Sequence, residues 1–113
     1  MYARLIMMTV KPGDSATATR LSETLATEVQ SLAGFHKATF FCDPRYGEYA
    51  MLSVWHSEED AIIAGRLLCS KIESGSAGET VSQPASKLYE IYEPEIAVKP
   101  RGPQMPDAEV SAR

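Results

Sequence analysis

Cysteine is scarce in this sequence. Cys42 and Cys69 are the two thiols, they fall in different predicted elements, and they do not form a Cys-x-x-Cys pair. That usage argues against a disulfide framework and against a thiolate metal centre, and reads as reduced, half-buried cysteines of a cytoplasmic protein. Long apolar runs are missing as well. The longest near the N-terminus, Leu5 to Val10, is too short for a membrane span or a secretory core. No Gly-rich phosphate loop and no internal repeat is present. Basic charge is the minority sign, with 11 Lys and Arg against 15 Asp and Glu, a formal net charge of −4 and a pI near 5.1. Nucleic-acid binding, which needs a basic face, is not expected from such a balance. What is present is ordinary for a soluble globular domain: 113 residues, 44% hydrophobic and 23% charged. A chain of this length forms one domain with a real core and little room for a large internal cavity.

The most informative stretch runs from Gly47 to Ala61. It leaves a glycine turn, alternates as a strand up to Trp55 (the single tryptophan), and then changes period. Ser57 is placed to cap a helix, with Asp60 at capping-box spacing and Glu58, Glu59 and Asp60 where the helix dipole favours negative charge. The strand has two unlike faces. Ala50, Leu52 and Val54 form an aliphatic one that suits packing under helices. Tyr49, Met51, Ser53 and Trp55 form one that suits either a pocket or plain core packing.

In chain order, Tyr2 to Val10 predicts a strand buried on both faces, and Lys11 to Asp14 breaks it. Ala18, Leu21, Leu25, Val29 and Leu32 recur at helical spacing and predict an amphipathic helix over Ser15 to Ala33, ended by Gly34. Phe35 to Cys42 is a second strand, joined to the third by a turn over Asp43 to Gly47. A second helix runs from Glu58 to about Glu73, a loop follows to Ser86, and Lys87 to Glu93 is the last strand. The order is βαββαβ, an α+β, ferredoxin-like split sandwich with a four-stranded antiparallel sheet and both helices on one face. The opposite face is expected to carry Ile6, Met8, Phe41, Met51 and Trp55. A monomer would leave too much of that surface wet, so a two-fold homodimer is expected to cover it. Residues 1–93 form this domain. Residues 94–113 are a Pro-rich tail, read either as a flexible end or as a strap led by Ile96 and Val98.

The residues also carry a family resemblance. Val10-Lys11-Pro12-Gly13 after the first strand, Ala33-Gly34-Phe35 before the second, Trp55-His56-Ser57-Glu58-Glu59-Asp60 before the second helix, and Leu88-Tyr89-Glu90-Ile91 in the last strand together resemble the antibiotic biosynthesis monooxygenase family. The resemblance covers residues 2 to 93. It implies a dimeric α+β barrel and, among the family's activities, cofactor-independent oxygenation of polycyclic phenols, quinol oxidation, haem degradation and isomerisation. In this register the Asn, Trp and His of haem-degrading members correspond to Ile6, Ala64 and Ser74, which leaves no haem ligand. The Asn, Trp and Tyr of phenol-oxidising members correspond to Met51, Trp55 and Ala61, so Trp55 alone is retained. The implied function is a monooxygenase without a cofactor, acting on a small phenolic, quinol-like or polyketide-type metabolite. The alternative is a non-catalytic small-molecule-binding or scaffold dimer.

Trp55 and His36 are the catalytic candidates; each is also read as structural, Trp55 as core and His36 as a strand-end histidine with a local partner. The proposed pocket lining is Arg4, Ile6, Met8, Lys37, Thr39, Phe41, Met51, Ser53 and Glu90. That set assumes a hairpin pairing Cys42 with Glu48; a shift of one residue exchanges the faces of the second strand. Arg4 and Glu90 form either a structural ion pair or an anchor for an anionic substrate. His56 reads as a surface residue.

Overall fold

Each helix begins on a side-chain cap. Asp14 Oδ1 accepts the N–H of Thr17 at 3.3 Å, and Ser57 Oγ accepts the N–H of Asp60 at 3.1 Å. These bonds satisfy donors that the first turn of a helix leaves without partners. The computed structural model describes residues 1–76 and 83–94. Its elements are β1 (Tyr2–Thr9), α1 (Ser15–Gln30), β2 (Phe35–Asp43), a 3₁₀ turn (Pro44–Tyr46), β3 (Glu48–Trp55), α2 (Glu58–Ser76) and β4 (Ala85–Glu90). The sheet is antiparallel in the order β2-β3-β1-β4, with both helices packed on one face. This is the ferredoxin-like α+β arrangement expected from the element order.

Helix α1 ends three residues before the expected Ala33. The N–H and Oγ of Ser31 both donate to the carbonyl of Glu28, at 3.1 and 2.8 Å, and Leu32 N–H donates to Val29. These shorter-range bonds tighten the last turn and stop the helix. The β2–β3 turn closes on Gly47, whose φ of 68° lies in the left-handed region. Its carbonyl receives the N–H of Val10 at 2.8 Å, and a Cβ on Gly47 would run into the Val10 carbonyl. Glycine is required there on both grounds.

Two expectations are corrected by the register. Cys42 pairs with Tyr49 rather than with Glu48, and a bulge at His36 separates Phe35↔Trp55 from Lys37↔Val54. Phe35, Ala38, Phe40 and Cys42 therefore share the helix side, while Lys37, Thr39 and Phe41 share the open side. The faces of β1 and β3 are also the reverse of the expectation. Ile6, Met8, Met51 and Trp55 lie under the helices, in one cluster with Leu21, Leu25 and Val29 of α1 and Ala61, Ala64, Leu68 and Ile72 of α2. The aliphatic set of Leu5, Leu52 and Val54 is on the open face. The reason is size: two helices leave a deep gap over the sheet centre, which Trp55 and Met51 fill and Ala50 or Val54 would not. Ile96, Val98 and the proline-rich stretch beyond them lie outside the described residues.

Candidate functional site

The two helices seal their halves of the sheet differently. Over β1 and β4, α2 presents Ala61, Ala64 and Gly65, all buried, and so lies close to the strands. Over β2 and β3, α1 turns a stripe of Thr19, Ser22, Glu23 and Ala26 toward the edge. A cleft of about 370 Å³ opens between that stripe and Phe40, Phe41, Cys42, Tyr49 and Ala50. Its volume falls within the roughly 300–1,000 Å³ of small-molecule sites. The cleft runs inward past Ser22, Phe40 and Tyr49 to Ile6, Met8, Leu25, Met51 and Ile72. There it narrows to about 10 Å³, room for no more than a water. The walls are apolar, with Glu23, Ser22 and the Tyr49 ring supplying the polar groups. Such a lining accepts a flat aromatic molecule and can hold a hydroxyl at the rim.

The expected site residues are dispersed. Ile6, Met8 and Met51 line the inner end of the cleft, and Phe41 lines its mouth. Trp55 has no accessible surface and is not among the lining residues; its ring meets Phe35 edge-on at 5.6 Å. Trp55 Nε1 donates to Ser53 Oγ at 2.8 Å, and Ser53 Oγ donates to the Arg4 carbonyl at 3.3 Å. This chain satisfies the polar atoms of both buried side chains. Lys37 and Thr39 are exposed on the other face. His36 sits in the bulge with its ring 5.3 Å from that of His56, edge to face, and both are exposed. Among the described residues no group of three or more His, Cys, Asp and Glu side chains is arranged to hold a metal ion.

Arg4 and Glu90 do not pair. Arg4 is opposite Leu88, whereas Glu90 is opposite Tyr2 and exposed. The Arg4 guanidinium instead turns into α2, where Nε and Nη2 donate to the Ala61 carbonyl at 3.2 and 3.1 Å and Nη1 donates to Ser86 Oγ at 2.9 Å. Burial lowers its pKa from the usual arginine value, partly offset by the nearby Cys69. Cys69, half-buried beside it, has its thiol pushed up by burial; hydrogen bonding to Ser86 works in the opposite direction.

Sequence reasoning missed the α1 wall. Its signal is present: Thr19, Ser22, Glu23 and Ala26 recur at helical spacing beside the leucine stripe, and small or polar residues there leave a gap that leucines would close.

Comparison with known proteins agrees with this architecture. A protein from Nitrosomonas europaea assigned to the antibiotic biosynthesis monooxygenases superposes with a TM-score of 0.67 at 11% identity, covering 82% of this chain and 100% of that one. One from Deinococcus radiodurans with the same assignment gives 0.65 at 14% identity, covering 90% and 100%. SnoaB, a cofactor-independent oxygenase from Streptomyces nogalater, gives 0.63 at 14% identity, covering 82% and 94%. At these identities the likeness is one of fold. Comparison with the curated proteins finds no match. The family model for antibiotic biosynthesis monooxygenase, however, matches residues 1–64, which span β1 through the first turns of α2 and contain most of the cleft lining, and on that match the chain belongs to the antibiotic biosynthesis monooxygenase family.

Proposed function

We propose that this protein is a cofactor-independent monooxygenase whose substrate, a small phenolic or quinol-like metabolite, binds in the cleft between α1 and the β2–β3 hairpin. The observation that carries the reading is the cleft itself, apolar on most sides and graded from an open mouth to a water-sized inner end. An electron-rich phenol supplies its own electrons to dioxygen. A phenol and O₂ give a quinone and water, one oxygen entering the ring and the other leaving as water. The protein's part is to hold the ring dry, bind the hydroxyl and receive its proton, for which the Glu23 carboxylate and the Tyr49 hydroxyl are the nearest candidates. Trp55 serves on this reading as a buried core residue at the far end of β3 rather than as a group touching substrate.

The dimer belongs to the same proposal, on a different set of residues from that first expected. The open face of the sheet carries Leu5, Met7, Phe41, Leu52 and Tyr89, with Met7 40%, Phe41 50% and Tyr89 43% exposed. An apolar surface of that kind is covered by a second copy in a two-fold contact. The unpaired thiols, Cys42 and Cys69, fit a reducing, cytoplasmic setting.

Oxygen uptake with a panel of naphthols and hydroquinones in metal-free buffer tests the reading. One O₂ consumed per quinone formed, abolished by Ser22→Phe with the fold intact, supports it. A second reading, a non-catalytic binding dimer, is favoured by the apolar Met51 and Ala61 at the positions that match the family's Asn and Tyr. Binding of the same phenols without oxygen uptake would select it.

A further inference from the structure

A second pocket, of about 370 Å³, lies at the opposite edge of the sheet between α2 and β1–β4 and is lined by Arg4, Ile62, Gly65, Arg66, Cys69 and Ser86. Its composition departs from that of the molecule. The chain carries a formal charge of −4, yet this pocket holds two arginines and no carboxylate. We propose that it is a binding site for a small oxyanion, a phosphate or carboxylate group, gripped between the guanidinium groups of Arg4 and Arg66.

The first support is the way Arg4 is held. Its partners, the Ala61 carbonyl and Ser86 Oγ, are neutral, and they occupy Nε and one side of each terminal nitrogen. The remaining N–H groups of Nη1 and Nη2 have no protein acceptor among the described residues, and they form the planar fork that fits two oxygens of one anion. The guanidinium is also kept in place from below. A Cβ on Gly65 would come within 2.6 Å of Arg4 Cζ and Nε, so glycine at this turn of α2 makes room for the stacked group. A partly buried cation with only neutral partners is unfavourable, and an anion at the fork relieves it.

The second support is what surrounds the fork. Arg66 lines the same pocket and has neither an ion pair nor a hydrogen bond among the described residues. Ser86 and Cys69 complete the rim. Burial pushes the Cys69 thiol up, which disfavours its anionic form. Across the sheet, the cleft proposed for the phenol has the reverse character, with apolar walls and a carboxylate. The two sites therefore select different chemistry, and this inference does not depend on the oxygenase reading.

Titration of the full chain with inorganic phosphate and, separately, with acetate tests the proposal at constant ionic strength, following the Arg Nε–H and backbone resonances by NMR. Saturable shifts are expected at Arg4, Arg66 and Ser86 with at least one probe; the stronger probe identifies phosphate or carboxylate as the preferred group. Arg66→Gln, an exposed substitution that leaves the fold intact, should weaken that binding at least about tenfold, the loss of one charge-assisted contact. Gly65→Ala should weaken it as well by displacing the Arg4 fork, with Arg66 unaltered. Shifts that fail to saturate, that sodium chloride reproduces, or that survive Arg66→Gln unchanged would overturn the proposal.

Discussion

The two edges of this sheet are covered by helices of similar amphipathic pattern, yet the pocket at one edge is lined by two arginines over a close-packed core while the cleft at the other is apolar. The difference lies in the residues flanking the main apolar stripe. On α2 those are Ala61, Ala64 and Gly65, so the helix backbone comes close enough for Arg4 to reach the Ala61 carbonyl, and Trp55 is shut beneath it. On α1 the flanking residues are Thr19, Ser22, Glu23 and Ala26, which point past the edge strand and leave a trough above Phe40 and Tyr49. Close approach and open trough are thus both products of small side chains. They differ in whether the small residue faces the sheet or its rim.

The comparison can be broken most strongly at Trp55. Trp55→Ala should destabilise by about 3–5 kcal/mol in chemical denaturation, because it empties a fully buried site with no route for collapse. Trp55→Phe should cost less, about 1–3 kcal/mol, and Ser53 Oγ keeps its bond to the Arg4 carbonyl. If instead Trp55→Ala proved nearly neutral, the seal under α2 would not be close-packed.

Matched enlargements on the two helices sharpen the contrast. Ala64→Leu, against the sealed half, should lower stability by about 1–3 kcal/mol through overpacking. Ala26→Leu, in the trough, should change the unfolding midpoint by no more than about 0.5 kcal/mol equivalent, as for a surface substitution, yet weaken binding of a naphthol measured by titration calorimetry. Equal destabilisation by the two leucines would show that the trough closes in solution.

The smallest effect is kinetic and concerns the two thiols, one at each edge. Cys42 is exposed at the trough and Cys69 is half-buried in the sealed half. Burial raises the Cys69 pKa, so at mildly alkaline pH less of it is thiolate than for an ordinary thiol. Iodoacetamide followed by mass spectrometry should label Cys42 first, with Cys69 catching up only at higher pH. The sign for stability follows from the same shift. The unfolded chain releases this proton first as pH rises, so the contribution is full below the ordinary thiol range and is lost as pH climbs through the raised value.

Much of the fold was legible in local signals. The Leu21, Leu25 and Val29 spacing, the Asp14 and Ser57 caps and the turn at Gly47 act within a few residues of themselves, and the structure keeps all of them. Element order then selects the topology, since few arrangements connect βαββαβ without crossing. The site was less legible. Which face of an alternating strand meets the helices is a property of neither face alone, and the aliphatic set of Leu52 and Val54 looked the better core. Hairpin register depended on a one-residue shift at the turn, Cys42 pairing with Tyr49 and not with Glu48, which no local residue announces, and it moved Lys37 and Thr39 away from the candidate site.

The elements, their order and the family follow from the chain's local signals, because periodicity, caps and turn residues are short-range properties written in neighbouring positions. Only the tertiary structure decided that Trp55 is interior, that Arg4 turns into α2 instead of meeting Glu90, and that the trough lies beside α1. Each of those depends on how closely a helix approaches the sheet, and that distance is set by side chains far apart in the chain meeting across the gap.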